Sequence, residues 1–139
     1  MSQYPEDKMN KEWIQYEITS DTVDWTKSFG EFLQKDEGKF KQPLSAFQIR
    51  KFFGELKRIQ ADPVKYKADF PLLKAKLAYA AGRNKKTKIT EFYKELEKGI
   101  NYVRLDNDSN AKNDITNFVK IVESIVAFHK YFEPERNNH

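Results

Sequence analysis

From Leu44 to Ile59 the chain carries a helix start signal followed by an unbroken helical stripe. Ser45 suits the N-cap, where its hydroxyl accepts from an otherwise unpaired backbone N–H, and Gln48 three residues later completes a capping box. Leu44 and Ile49 fall at the two positions of a hydrophobic staple. Ile49, Phe52, Phe53, Leu56 and Ile59 then recur at three- and four-residue spacing, which a helix gathers on one side. At about 100° per residue, Arg50, Lys51, Lys57 and Arg58 land opposite, with Gly54 among them. A glycine inside a helix costs about 0.8–1 kcal/mol relative to alanine. Either Gly54 admits a phosphate backbone between four cations, or it is drift at a solvated position.

The rest of the chain repeats the same period. Trp25, Phe29, Phe32 and Leu33 mark a core stripe on a helix running to about 35, capped by Ser20 or Asp21 rather than Thr19. Residues 36–43 are a polar loop with Gly38 and Pro43. The central helix ends near 60, because Pro63 disfavours helix at Asp62. A helix over 70–81 has Pro71 in its first turn and Gly82 as its stop. Its Lys76 and Arg83 share a side with Tyr79, while Lys74 points away. Another helix is expected over 87–106, then a polar capping turn, then an apolar helix over 111–132 that includes His129. No segment alternates apolar and polar residues as a strand does. The expectation is an all-α protein, a compact bundle of about five helices. A weakly ordered segment 1–18, whose Trp13, Ile14 and Tyr16 dock on the domain or on a partner, precedes a single helical domain over 19–133. A polar tail, 134–139, follows.

Charge is unevenly placed. Net charge is +4, but residues 41–100 hold 15 Lys/Arg against 6 Asp/Glu, while 1–40 and 101–139 are net −4 and −1. A basic block inside a folded region suits a polyanion, nucleic acid above all; the competing reading is a solvated, lysine-rich surface. With no cysteine there is neither a disulfide framework nor a thiolate site. No apolar run approaches the ~20 residues of a membrane span, and the first residues lack a signal peptide's apolar core, so a cytoplasmic protein is expected.

Catalytic signals are missing. His139 is terminal, and His129 within an apolar helix face reads as a packed, hydrogen-bonded residue. There is no H-E-x-x-H, P-loop, G-x-G-x-x-G or G-x-S-x-G. Asp106-Asn-Asp-Ser-Asn110 begins like a calcium loop but has Ala111 and Asn117 where glycine and glutamate are needed. Glu91, Glu95 and Glu97, near Lys94 and Lys98, read as solvated helix charges. No enzyme, cofactor or metal is expected.

Three blocks in order carry a resemblance: Leu44-Ser-x-x-Gln-Ile-Arg-Lys-Phe-Phe, Leu73-Lys-x-Lys-Leu-Ala-Tyr-Ala-Ala-Gly-Arg83, and Phe118-x-x-x-Val-Glu-Ser-Ile-Val-Ala-Phe-His-Lys-Tyr-Phe132. Together they resemble the small subunit of the type III-A CRISPR (Csm) effector complex, over about 44–132. Phe128 and Phe132 stand where the family has tyrosines, and the first 43 residues add nothing to the match. The resemblance implies a small helical protein without catalysis of its own. Copies stack beside one another as an inner filament, next to a backbone subunit that holds the guide RNA. The small subunits contact the guide–target duplex, chiefly its target strand, in antiviral defence.

The basic residues fit that role, since base pairing reads the sequence and protein needs only to hold phosphates. The residues expected to contact RNA are Arg50, Lys51, Lys57 and Arg58 on the central helix, Lys76 and Arg83 on the next, and Lys85 and Lys86 in the loop after it. Arg50 and Arg83 lead, because they lie inside the matched blocks and arginine binds phosphate bidentately. The competing reading is an intramolecular pair for the arginines and solubility for the loop lysines. A helical protein-interaction module that meets an acidic partner is the alternative function. A DNA-binding regulator ranks last, for want of helix-turn-helix spacing.

Overall fold

The computed structural model describes residues 9–135. Six α-helices follow in order: α1 (Lys11–Gln15), α2 (Ser20–Gln34), α3 (Ala46–Ala61), α4 (Leu72–Arg83), α5 (Ile89–Tyr102) and α6 (Asp108–Tyr131). A single 3-10 turn, Lys67–Asp69, precedes α4. Among the described residues there is no strand, only an isolated bridge between Gln42 and Thr87. The all-α expectation holds, with one helix more than five.

Local signals set most helix ends. Ser45 accepts from the Gln48 backbone N–H at 3.1 Å while the Gln48 side chain reaches back to Ser45, so α3 opens on the expected capping box. Leu44 and Ile49 are both buried, as a staple requires. The α2 cap is Thr19, not Ser20 or Asp21. Thr22 at N3 reciprocates through its hydroxyl, which accepts from the Thr19 N–H at 3.0 Å. Gly82 lies inside α4 rather than beyond it; Asn84 closes that helix, its side-chain amide donating to the Ala80 carbonyl at 2.9 Å. Asn107 caps α6 by accepting from the Asn110 N–H at 2.8 Å, as expected of the polar turn. Helix α5 is shorter than 87–106, because Val103 is already extended and the Arg104 N–H turns to Asp114.

Helix α6 is the axis of the core. It packs on α1, α2 and α3, while α4 packs on α5. Ala111, Ile115, Phe118, Val119, Ile121, Val122 and Ile125 are all buried along it. Two glycines permit close approach: a Cβ on Gly30 would meet the Phe128 Cβ at 2.8 Å, and one on Gly99 would meet the Phe118 ring at 2.7 Å. Trp13, Trp25, Phe29 and Phe32 form a ladder with centroids 5.1–6.3 Å apart.

The stretch 1–18 contains more structure than its sequence pattern suggests. Residues 1–8 lie outside the described residues, but α1 buries Trp13 and Ile14, leaving Tyr16 exposed. Long-range polar bonds hold it. Arg104 and Asn113 each donate to the Gln15 carbonyl at 3.1 Å, and Asn117 donates to the Ile14 carbonyl at 3.0 Å. Arg104 also forks onto the fully buried Asp114 at 2.9 and 3.1 Å, and that carboxylate holds its guanidinium pKa up. Of the expected polar tail, Pro134 and Glu135 are described and exposed; residues 136–139 lie outside the described residues.

Three carboxylates correct the expectation of solvated helix charges on α5. Glu95 is fully buried and pairs with Lys98 at 2.9 Å, and Glu91 is buried and bridged to Lys41. Glu97 is half-buried and accepts from the Tyr93 hydroxyl at 3.0 Å. His129 is packed as expected. Its Nε2 donates to the Leu44 carbonyl at 2.8 Å and its Nδ1 accepts from Gln34 at 3.3 Å. Burial pushes its pKa down, so the imidazole is neutral.

Candidate nucleic-acid interface

Helix α3 buries Ile49, Phe52, Leu56 and Ile59, so its turn geometry divides the exposed cations into two flanks. Arg50 and Lys57 lie on one flank with Phe53; the Lys57 ammonium stands 5.7 Å from the Phe53 ring centroid. Arg50 is near enough to His129 that its charge helps to lower the imidazole pKa. Lys51 and Arg58 lie on the other flank with Glu55. Glu55 accepts from Lys76 of α4, which turns this second flank toward α4.

On α4, Lys76, Tyr79 and Arg83 share a stripe. The Arg83 guanidinium donates to the Tyr79 hydroxyl at 3.3 Å and lies 5.7 Å from that ring's centroid, with Tyr79 itself 67% exposed. Lys74 points the other way, as expected, and donates to Asn101 of α5 at 2.7 Å. The Lys76–Glu55 bridge therefore makes a seam that joins the Lys51–Arg58 flank of α3 to the Lys76–Arg83 stripe of α4. The Arg50–Lys57 flank looks away from it.

An acid sits within that seam. Glu55 takes Lys76 and, at 3.6 Å, Arg58, and Arg58 also reaches Asp69 at 3.3 Å while lying over the Tyr66 ring. The bond from Lys76 is the largest cause holding the Glu55 carboxyl below its usual range; partial burial opposes it and Arg58 adds to it. Arg58 and Lys76 are thus partly neutralised within the chain. Arg50, Lys51 and Lys85 are exposed and make no hydrogen bond or ion pair among the described residues.

The loop after α4 is held by backbone pairing. The Gln42 N–H donates to the Lys86 carbonyl at 2.7 Å, and the Lys88 N–H donates to the Gln42 carbonyl at 2.9 Å. Lys85 and Lys86 stay exposed. Lys88, from the same basic run, is fully buried. It donates to the Phe32 carbonyl at 2.8 Å, pairs with Glu37 at 2.7 Å and lies 4.0 Å from the Phe32 ring centroid. Sequence reasoning missed Lys88 as a buried cation, Glu55 as the seam's counter-charge, and Lys39–Phe40 beside Lys86. Only the i,i+3 spacing of Glu55 and Arg58 is a local signal for any of these.

Among the described residues no three His, Asp or Glu side chains converge as metal ligands, and no helix is long and apolar enough to cross a membrane.

The sequence pattern of the Csm2 Type III-A family matches residues 17–135, from the residues before α2 to the last one described. The chain belongs to that family. As a Csm2 Type III-A chain it is a small subunit of the type III-A Csm CRISPR complex, with the other Csm components as its partners. The match begins at 17, so it takes in α2, which the three sequence blocks left out. No curated protein and no solved structure matches the chain.

Proposed function

We propose that this Csm2 chain is a non-catalytic RNA-binding scaffold of a cytoplasmic effector. Its 19–133 region acts as one domain, stacking with copies of itself along the inner filament beside the backbone subunit. The outward faces of α3 and α4 and the loop after α4 hold the guide–target backbone without reading bases. The observation that carries this reading is that Arg50 and Lys51 on α3, and Lys85 in the turn after α4, are exposed and have no hydrogen bond or ion pair among the described residues. Positive charge held on rigid helices grips phosphate at little conformational cost, and its affinity falls steeply with salt. Lys57, Arg83 and Lys86 add charge beside aromatic rings, and Arg58 and Lys76 add charge that Glu55 restrains.

Gly54 supports the same reading. It is exposed, and a Cβ built on it meets nothing within 4 Å, so packing within the chain does not require a glycine there. An external backbone coming close at that turn supplies a reason.

Charge reversal at Arg50 and Arg83 together, in the assembled complex, tests the proposal. The expected result is weaker target-RNA binding with a flatter salt dependence; unchanged affinity and slope reject it. A protein-interaction module is the second reading, favoured by the exposed Leu72 and Tyr79 on α4. Copurification of the complex without guide RNA, but with this chain bound to an acidic protein, would select it.

A further inference from the structure

The aromatic side chains of the core stripes are unavailable to a ligand, but Phe40 is not on a stripe. It lies in the 36–43 loop and is 63% exposed. The loop around it is built rather than slack. The Glu37 N–H donates to the Lys41 carbonyl and the Lys41 N–H to the Gly38 carbonyl, both at 3.0 Å, across a turn in which Gly38 takes φ 108°. Such a φ suits glycine, which has no Cβ to clash. Buried Lys88 pins Glu37 from below, Lys41 bridges to Glu91, and Gln42 pairs with the backbone at both Lys86 and Lys88. The loop thus holds a benzyl group out in water, a position with no gain in burial.

Two cations lie over the ring. The Lys39 ammonium lies 5.4 Å from its centroid and that of Lys86 5.9 Å. Both lie over the ring at longer range than Lys88 over Phe32, which is 4.0 Å from that centroid, and neither removes Phe40 from solvent. An exposed flat ring with two flexible lysine ammoniums close over it suits a nucleotide with its base unpaired: the base stacks on the ring and the lysines move to its phosphates. An apolar protein anchor would have apolar neighbours, whereas Lys39, Lys41 and Gln42 surround Phe40 in sequence.

We infer that Phe40, with Lys39 and Lys86, is a stacking platform for an unpaired RNA base, next to the surface that holds the paired backbone. This rests on the RNA-binding reading and adds to it a contact with single-stranded RNA. The test uses the full chain at low salt with two probes, a short single-stranded RNA and a fully paired RNA duplex of the same length. Phe40→Ala is expected to weaken single-strand binding about tenfold, the range seen when a stacked aromatic is truncated. Duplex binding stays unchanged. Phe40→Trp keeps the affinity, and its fluorescence is quenched by the bound single strand.

Equal single-strand affinity for Phe40→Ala and the wild type overturns the inference, and so does a wild type that binds no single strand. If the Arg50 and Arg83 reversal still weakens duplex binding in that case, the backbone reading survives alone. If neither variant changes any affinity, both fall. Restoration by Phe40→Leu, together with loss of another Csm subunit from the Phe40→Ala complex, identifies a protein anchor and also overturns it.

Discussion

Lys86 and Lys88 are two residues apart, carry the same charge, and end in opposite surroundings. Lys86 is exposed, and its ammonium only leans over the Phe40 ring. Lys88 is withdrawn completely, with a carbonyl, a carboxylate and an aromatic face around its ammonium. At the other end of α5 the acid is the buried member: Arg104, its side chain 34% exposed, reaches in to the fully buried Asp114. Cations that tie loops and helix ends together are therefore set apart from cations left to solvent. A buried ion pair costs so much to break that it holds a chain segment in place, whereas an exposed cation contributes almost nothing to folding. The exposed set is free to serve a ligand, and the buried set makes its surroundings rigid.

The largest effect expected from this division is on Lys88. Lys88→Met keeps the stem but removes the ammonium's bonds to the Phe32 carbonyl and Glu37, and should cost about 3 kcal/mol in urea unfolding. A loss below about 1 kcal/mol would mean the buried pair does not fix the loops. Next come the glycines, which make the same contrast without charge. Gly99→Ala forces a Cβ against the Phe118 ring and should destabilise by about 2 kcal/mol. Gly54→Ala meets nothing and should stabilise by about 0.8–1 kcal/mol, while weakening RNA binding. Stabilisation with unaltered RNA affinity would show that Gly54 is merely tolerated.

Smaller stability changes belong to the exposed cations. Arg50→Ala, Lys51→Ala and Lys85→Ala should each stay within about 0.5 kcal/mol in unfolding. Each should also lower the salt slope of RNA binding by about one. The smallest is expected at Glu55, a partly exposed carboxylate whose pairs are screened by solvent. Glu55→Gln should shift stability by only a few tenths of a kcal/mol, yet tighten RNA binding by releasing Arg58 and Lys76. Weaker binding would mean instead that Glu55 orients the two cations productively.

Much of the fold was legible because its signals are local. The capping box at Ser45 and Gln48, the staple at Leu44 and Ile49, and the Asn107 turn each need only a few neighbouring residues, and each formed. Where an end was misjudged, a side chain not counted as a cap took the role. Thr22 answered Thr19, and Asn84 carried α4 past Gly82. The site was legible only in part. Helical spacing separated Lys76 from Lys74, and the two do reach different helices, α3 and α5. The same spacing put Arg50, Lys51, Lys57 and Arg58 on one side of α3, without showing that Glu55 and Asp69 would take Arg58.

By itself the sequence determined the helical class, the order of the helices, the apolar sides they bury and the family resemblance. Those depend on periodicity and on contacts within a few residues. Only the tertiary structure decided which charges remain outside. Lys88 meets Glu37, Lys76 meets Glu55, and α1 is held by carbonyl contacts from Arg104, Asn113 and Asn117. Each of these joins residues far apart in the chain, and an ammonium group is the same in water or over a buried ring until folding brings its partner to it.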